Sequence, residues 1–202
     1  KEACGQLSDV RKKYASRLVR TVEAALRDLN FLDVSFDMQF DQLDHYTSNG
    51  TDDGEFMIST NPGEPLKPLR NIASGGEMSR IMLATKTVLA ENDAIDTLIF
   101  DEIDSGISGR TAQAVSEKLS VVARDHQVVC ITHLPQIAAM ADRHFLIEKQ
   151  VEGGATVSRI SLLSREGSIR ELARMLGGTE ITEKVLENAE EMKNLADNKK
   201  RK

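Results

Sequence analysis

Two short apolar runs that end in reactive side chains constrain this chain most. Thr97–Phe100 stops at Asp101-Glu102, and Gln127–Ile131 stops at Thr132-His133. Runs this short, with a helical pattern between them, read as buried parallel strands joined by a crossover helix. A third string, Ala73-Ser74-Gly75-Gly76-Glu77, precedes a helical pattern through Ile81, Met82, Ala84, Thr85, Val88 and Leu89. Each string suits a different part of phosphoryl-transfer chemistry. One part has no counterpart, because no segment matches G-x-x-x-x-G-K-[ST], the loop that cradles phosphates. The chain therefore reads as the distal half of a nucleotide site.

At 202 residues the chain is long enough for one sizeable domain, or one domain plus an appendage. Its net charge of -6 gives no global attraction to nucleic acid, so DNA contact would need a local basic patch or another part of the molecule. The basic tail Lys199-Lys200-Arg201-Lys202 is expected to be a frayed, solubilising end. No apolar run approaches the ~20 residues that span a membrane. The start, Lys1-Glu2-Ala3-Cys4, has neither an initiator Met nor a signal pattern and reads as a cut inside a longer protein. Cys4 and Cys130 are far apart in sequence, which favours a reducing cytoplasm.

Organisation follows from periodicity. Leu7, Val10, Tyr14, Leu18, Val22, Ala25, Leu26 and Leu29 form one helical stripe, with Arg11, Lys12, Lys13, Arg17, Arg20, Glu23 and Arg27 on the other faces. Residues 1–30 are thus an amphipathic helix, either lying on the domain or ending a coiled-coil arm. Residues 31–202 form the globular part. Val34, Phe36, Met38 and Phe40 alternate with polar residues as a half-buried strand. A polar, Gly-containing stretch over Asp44–Gly54 reads as a loop, followed by a strand near Glu55–Thr60 and a turn cluster, Asn61-Pro62-Gly63-Glu64-Pro65. Beyond Leu69 the texture is α/β: Ser108 caps a helix over Arg110–Arg124, a short helix covers Pro135–Ala141, and a strand covers His144–Glu148. Gly153-Gly154 turns into an outer strand, Thr156–Leu162. The helices Ser168–Leu176 and Thr179–Leu195 are separated by Gly177-Gly178.

The chemistry is read residue by residue. Ser74, Gly75, Gly76 and Glu77 open a helix, so unpaired N–H groups and the Ser74 hydroxyl could meet an anion; alone, they are equally a glycine turn with a serine cap. Asp101 suits Mg²⁺, through water. Glu102 suits orientation or deprotonation of an attacking water. Asp104, Ser105 and Gly106 form a loop beside them, which argues against a strand merely ending in two solvated acids. His133 could hydrogen-bond a γ-phosphate and sense its loss. His126, Cys130 and His133 are not read as a zinc set, because two of them fall in a strand pattern and no fourth ligand is near.

These strings resemble the ABC ATPases: Ala73–Glu77 resembles the signature, Leu98–Glu102 the Walker B strand, Asp104–Ser108 the D-loop and His133 the switch histidine. Longer phrases, Ala73–Arg80, Phe100–Gly109, Thr132–Ala138 and Glu171–Gly178, resemble the SMC-like branch that acts in bacterial double-strand-break repair. The resemblance implies the C-terminal lobe of an ABC/SMC-type P-loop ATPase head, with a parallel sheet core, flanking helices and a small antiparallel β section. It implies ATP and Mg²⁺ as cofactors, and as partners the chain's own N-terminal Walker A lobe, a second head by homodimerisation, and DNA, with a recombinase as a further candidate. Ser74, Gly75 and Gly76 would touch nucleotide on the opposite head, while Asp101, Glu102 and His133 serve their own. The implied location is the bacterial cytoplasm, on the nucleoid. Ala73 stands where transporters commonly have leucine, and Ser108 where many have the D-loop aspartate, so Ser108 receives no catalytic role.

Two other readings remain open at this level. A transporter's nucleotide-binding subunit would carry both halves in one compact chain, with a helical insert before the signature. A non-catalytic dimerisation module would have no need of both Glu102 and His133.

Overall fold

The computed structural model describes residues 1–31, 33–90, 94–152, 155–178 and 180–200. Helix α1, Glu2–Asp28, buries Ala15, Val19, Val22, Ala25 and Leu26 along one face. Spacings of three and four place these residues on a single stripe. The helix stops where Asn30 adopts φ 69° and the Phe31 N–H reaches back to the Leu26 carbonyl at 3.2 Å. This is a left-handed C-terminal cap. The first half of α1 is less buried: Leu7, Val10 and Tyr14 continue the stripe but stay 37%, 52% and 59% exposed, while Arg11 pairs with Asp52 of the following hairpin at 3.0 Å.

A hairpin follows, β1 (Ser35–Thr47) antiparallel to β2 (Gly50–Ser59), with the short β3 (Lys67–Pro68) on the far edge of β2. The expected loop over Asp44–Gly54 is a correction, because most of it is paired strand. Gly50 at φ 93° closes a two-residue turn, and the Thr47 hydroxyl donates to the Gly50 carbonyl at 2.8 Å. Polar side chains hid this outer end because one of its faces is covered by an ion pair, Asp52 with Arg11 of α1, and not by apolar residues.

Helix α2 (Gly75–Leu89), strand β4 (Thr97–Phe100), helix α3 (Gly109–Val122), strand β5 (Gln127–Cys130) and helix α4 (Pro135–Ala139) make the α/β part. β4 and β5 are adjacent and parallel, in register Thr97 to Gln127 through Phe100 to Cys130. Ser108 takes the N-cap position of α3, but its side chain makes no capping bond. The pair is not buried on both faces as expected. Leu98 and Phe100 point inward at 9% and 5% exposed, while Ile99, Val129 and Ile131 stand out at 70%, 44% and 50%. Helices cover one face and leave the other open.

β6 (Phe145–Glu152) and β7 (Ala155–Leu162) form a separate antiparallel hairpin, ahead of α5 (Arg165–Gly177) and α6 (Glu183–Lys200). The Gly153-Gly154 turn and Thr179 lie outside the described residues. Among the described residues two hydrophobic clusters result. One joins α1, β1, β2, α2, β4 and α3 through Leu26, Phe36, Ile58, Ile81, Phe100 and Val115. The other joins α4, α5 and α6 through Ala139, Leu172 and Ala189. Helix α4 serves both, with Ile137 in the first and Ala138–Met140 in the second. The buried Lys193 ammonium donates to the carbonyls of Ala139 and Ala141, each at 2.9 Å, and fixes α6 to the end of α4. Lys199 and Lys200 are not a frayed end either. They lie in α6 and pair with Glu117 and Asp142; Arg201 and Lys202 lie outside the described residues.

Candidate active site

Helix α2 begins as its sequence demands. Ser74 is the N-cap, its hydroxyl oxygen accepting the Glu77 N–H at 3.3 Å. That acceptance leaves the hydroxyl hydrogen available for a second partner. The glycines have a packing reason of their own. A Cβ on Gly76 would lie 2.9 Å from Ser105 Cβ, 3.0 Å from the Glu102 carbonyl and 3.1 Å from the Ser105 carbonyl. A Cβ on Gly75 would lie 2.5 Å from Glu102 Oε2. The start of α2 therefore sits directly on the segment that follows β4.

That segment turns sharply. Asp101 Oδ1 accepts the Glu102 N–H at 2.9 Å, folding its carboxylate back on the chain. Glu102 takes φ 57°, a left-handed conformation that a non-glycine residue rarely holds. The Ser105 N–H closes the turn on the Glu102 carbonyl at 2.9 Å, and Gly106 follows at φ 73°. Asp101 and Glu102 are exposed, whereas Ile103 and Asp104 are buried.

β5 delivers the third string to the same place. Asp104, 4% exposed, accepts the Thr132 hydroxyl at 2.5 Å and the His133 N–H at 2.8 Å on Oδ2, and the same oxygen lies 3.1 Å from His133 Nδ1. The His133 ring thus stands beside a buried carboxylate, with the rest of the imidazole turned to solvent. The His133 side chain is 74% exposed. His126, by contrast, turns Nδ1 to the Ile95 carbonyl at 2.7 Å.

Gly75 and Gly76 are thus brought against Glu102 and Ser105, with Ser74 and Glu77 beside them at the start of α2, and His133 reaches the same turn through Asp104. The sequence places Asp104 in the loop without its link to β5, and gives no role to Ser79 or Arg80. The Ser79 hydroxyl donates to the Asp101 carbonyl at 2.8 Å. Arg80 donates to the carbonyls of Ile103 and Ser105 at 3.3 and 2.9 Å. Both follow the glycine string by one helical turn, the one signal that they face the same neighbour. Burial pulls the Arg80 guanidinium below its usual pKa, partly opposed by Glu77. Burial also pushes the Cys130 thiol up to about 12, with Asp104 and Asp101 adding to the effect, so it stays protonated and inert.

The donor set bears on cofactors. Among the described residues no three His, Cys, Asp or Glu side chains gather into a metal cage. One open carboxylate beside a helix start suits Mg²⁺, which keeps its waters and takes phosphate oxygens as ligands. It does not suit Zn²⁺.

No protein-family model matches the chain. It is 45% identical over 194 residues to the DNA repair protein RecN of Halalkalibacterium halodurans, covering 94% of this chain and 34% of that protein. It is 40% identical over 206 residues to RecN of Bacillus subtilis, covering 95% and 36%. With RecN of Deinococcus radiodurans it shares 43% over 189 residues, covering 93% and 33%. The chain spans about a third of the length of these curated relatives. In fold it is similar to the Smc head domain with a coiled coil and joint from Pyrococcus yayanosii, at a TM-score of 0.56 and 22% identity over 81% of this chain and 29% of that one. The Smc head of Pyrococcus furiosus, bound to the C-terminal domain of ScpA, gives 0.54 and 21% over 83% and 39%.

Proposed function

We infer that this chain, similar to RecN over nearly its whole length, is the C-terminal lobe of an SMC-type ATPase head within a longer protein. Residues 31–202 are the lobe and residues 1–30 the returning end of a coiled-coil arm. The full protein uses ATP-driven head pairing and hydrolysis, with DNA bound, in double-strand-break repair and recombination. Its place is the bacterial nucleoid. The exposed Ile99, Val129 and Ile131 suit cover by the lobe that carries the phosphate loop. The half-packed stripe of α1 suits an arm that continues away from the head.

One observation carries this reading: Asp104, buried in the turn after Glu102, holds Thr132 and His133 on the neighbouring strand. A strand ending in two idle acids needs no such tie. Mg²⁺ bound with ATP would neutralise charge developing on the phosphate oxygens. Asp101 would hold that ion through water. Glu102 orients the attacking water and takes its proton. His133, held beside Asp104 through its backbone N–H, offers its imidazole to the terminal phosphate. Ser74, Gly75 and Gly76 present a hydroxyl and the helix start to nucleotide on the opposite head. The chain alone, lacking the phosphate loop, hydrolyses nothing. A recombinase remains a candidate partner of the full protein.

The test is Glu102→Gln in the full-length protein. Turnover is expected to fall by about 10²-fold or more, the scale of losing a general base, while ATP-held dimers persist. Unchanged turnover would remove Glu102 from its role.

A further inference from the structure

We propose that Arg80 is the positioning residue that fastens the base of α1 and the turn after β4 to helix α2, and thereby sets where Glu102 stands. The proposal rests on the reading of Glu102 given above. Arg80 is only 8% exposed. Its guanidinium lies 5.5 Å from the centroid of the Phe31 ring, at the foot of α1, and donates to the carbonyls of Ile103 and Ser105 at 3.3 and 2.9 Å. No carboxylate forms an ion pair with it among the described residues.

Burying a cation against carbonyls and a ring is a costly way to fill space, and an apolar side chain would do it more cheaply. The arrangement makes sense if the fork is needed. Its two carbonyls flank Asp104, the residue that holds His133. Together with Ser79 on the Asp101 carbonyl, the anchors sit at residues 101, 103 and 105. Glu102 lies inside that span at φ 57°. Such a conformation persists only where its surroundings over-determine it. Without Arg80, Glu102 relaxes toward negative φ and its carboxylate leaves its place beside Gly75. Because Phe31 touches the same guanidinium, the foot of α1 and this turn also move as one body.

The experiment uses the full-length protein with Arg80→Lys and Arg80→Gln. Lysine keeps a charge over Phe31 but is a point donor that lacks the fork; it also guards against Arg80→Gln failing to fold. Amide hydrogen exchange over residues 101–108 is expected to quicken roughly tenfold in both variants, as local opening becomes easier. The turnover number is expected to fall about 10²-fold, the effect of a misplaced catalytic group. Affinity for magnesium ATP stays within about twofold, about 0.4 kcal/mol or less. Unchanged exchange in this segment overturns the proposal. So does a loss of ATP affinity in step with turnover, which would mark a merely structural role. If the wild type itself turned over no ATP while the variants still loosened the segment, the reading of Glu102 would fall and the anchoring by Arg80 would stand.

Discussion

The buried carboxylate of Asp104 accepts the backbone N–H of His133 at 2.8 Å and lies 3.1 Å from Nδ1 of the same residue's ring. One oxygen thus ties the turn after β4 to the end of β5, and a change felt at His133 reaches Glu102 two residues before Asp104. Replacing Asp104 with alanine strands the His133 N–H and the Thr132 hydroxyl. The expected cost is about 1.5–3 kcal/mol, the range for hydrogen bonds to a charged group. Urea unfolding should show it as a lower midpoint, and turnover of the full protein should fall further than the stability loss accounts for.

Three glycine-to-alanine changes separate packing from chemistry. Gly5 lies in α1, and a Cβ added there would have no neighbour within 4 Å; alanine should stabilise by about 0.5–1 kcal/mol, by propensity alone. At Gly76 the same gain is opposed by contacts of 2.9–3.1 Å with Ser105 and the Glu102 carbonyl, mostly backbone. Overpacking of about 1–3 kcal/mol should win there, and thermal unfolding would register the loss. At Gly75 the Cβ meets only the tip of the Glu102 side chain. That carboxylate can swing away, so stability should hold while turnover drops.

Cys130 makes the protein's stability depend on pH in a definable window. Its thiol is pushed from 9.0 up to about 12 by burial, then by Asp104 and Asp101. Between those values the folded chain keeps a proton that the unfolded chain has lost, so stability falls as pH rises. The slope from this one group is at most about 1.4 kcal/mol per pH unit. Cys130→Val should flatten the decline between pH 9 and 10 in urea titrations; an identical slope in both proteins would reject the cause.

Shared sites make a prediction about mixtures. Ser74→Arg blocks the signature of its own head, and Glu102→Gln silences the acid of its own head. If the two motifs serve different nucleotides, mixing the full-length variants restores turnover at the one site that has both intact. The close packing of Gly75 on Glu102 within one chain makes the contrary outcome, no rescue, the mark of a site built from a single head.

Much of this was legible in the sequence, for local reasons. Ser74-Gly75-Gly76 before a periodic run sets the start of α2 at Gly75, and the runs Thr97–Phe100 and Gln127–Ile131 point to two parallel strands, which the structure pairs as far as Phe100 and Cys130. The two strands of the Ser35–Ser59 hairpin were legible from Val34–Phe40 and Glu55–Thr60, but its outer end was hidden because Asp41, Asp44, Asp52 and Asp53 read as loop residues when the covering contact is an ion pair with Arg11. Ile99 and Val129 read as core because apolar residues carry no record of which face is covered. Arg80 and Asp104 were illegible as anchors for another reason. Their partners lie 23 to 29 residues away in sequence, beyond any periodicity.

The most direct measurement is a structure of the full-length protein with magnesium and a non-cleavable ATP analogue. The account predicts Asp101, Glu102 and His133 around the terminal phosphate held by their own head, with Ser74 of the partner head against the same nucleotide. Nucleotide bound far from Glu102 and His133 would contradict it.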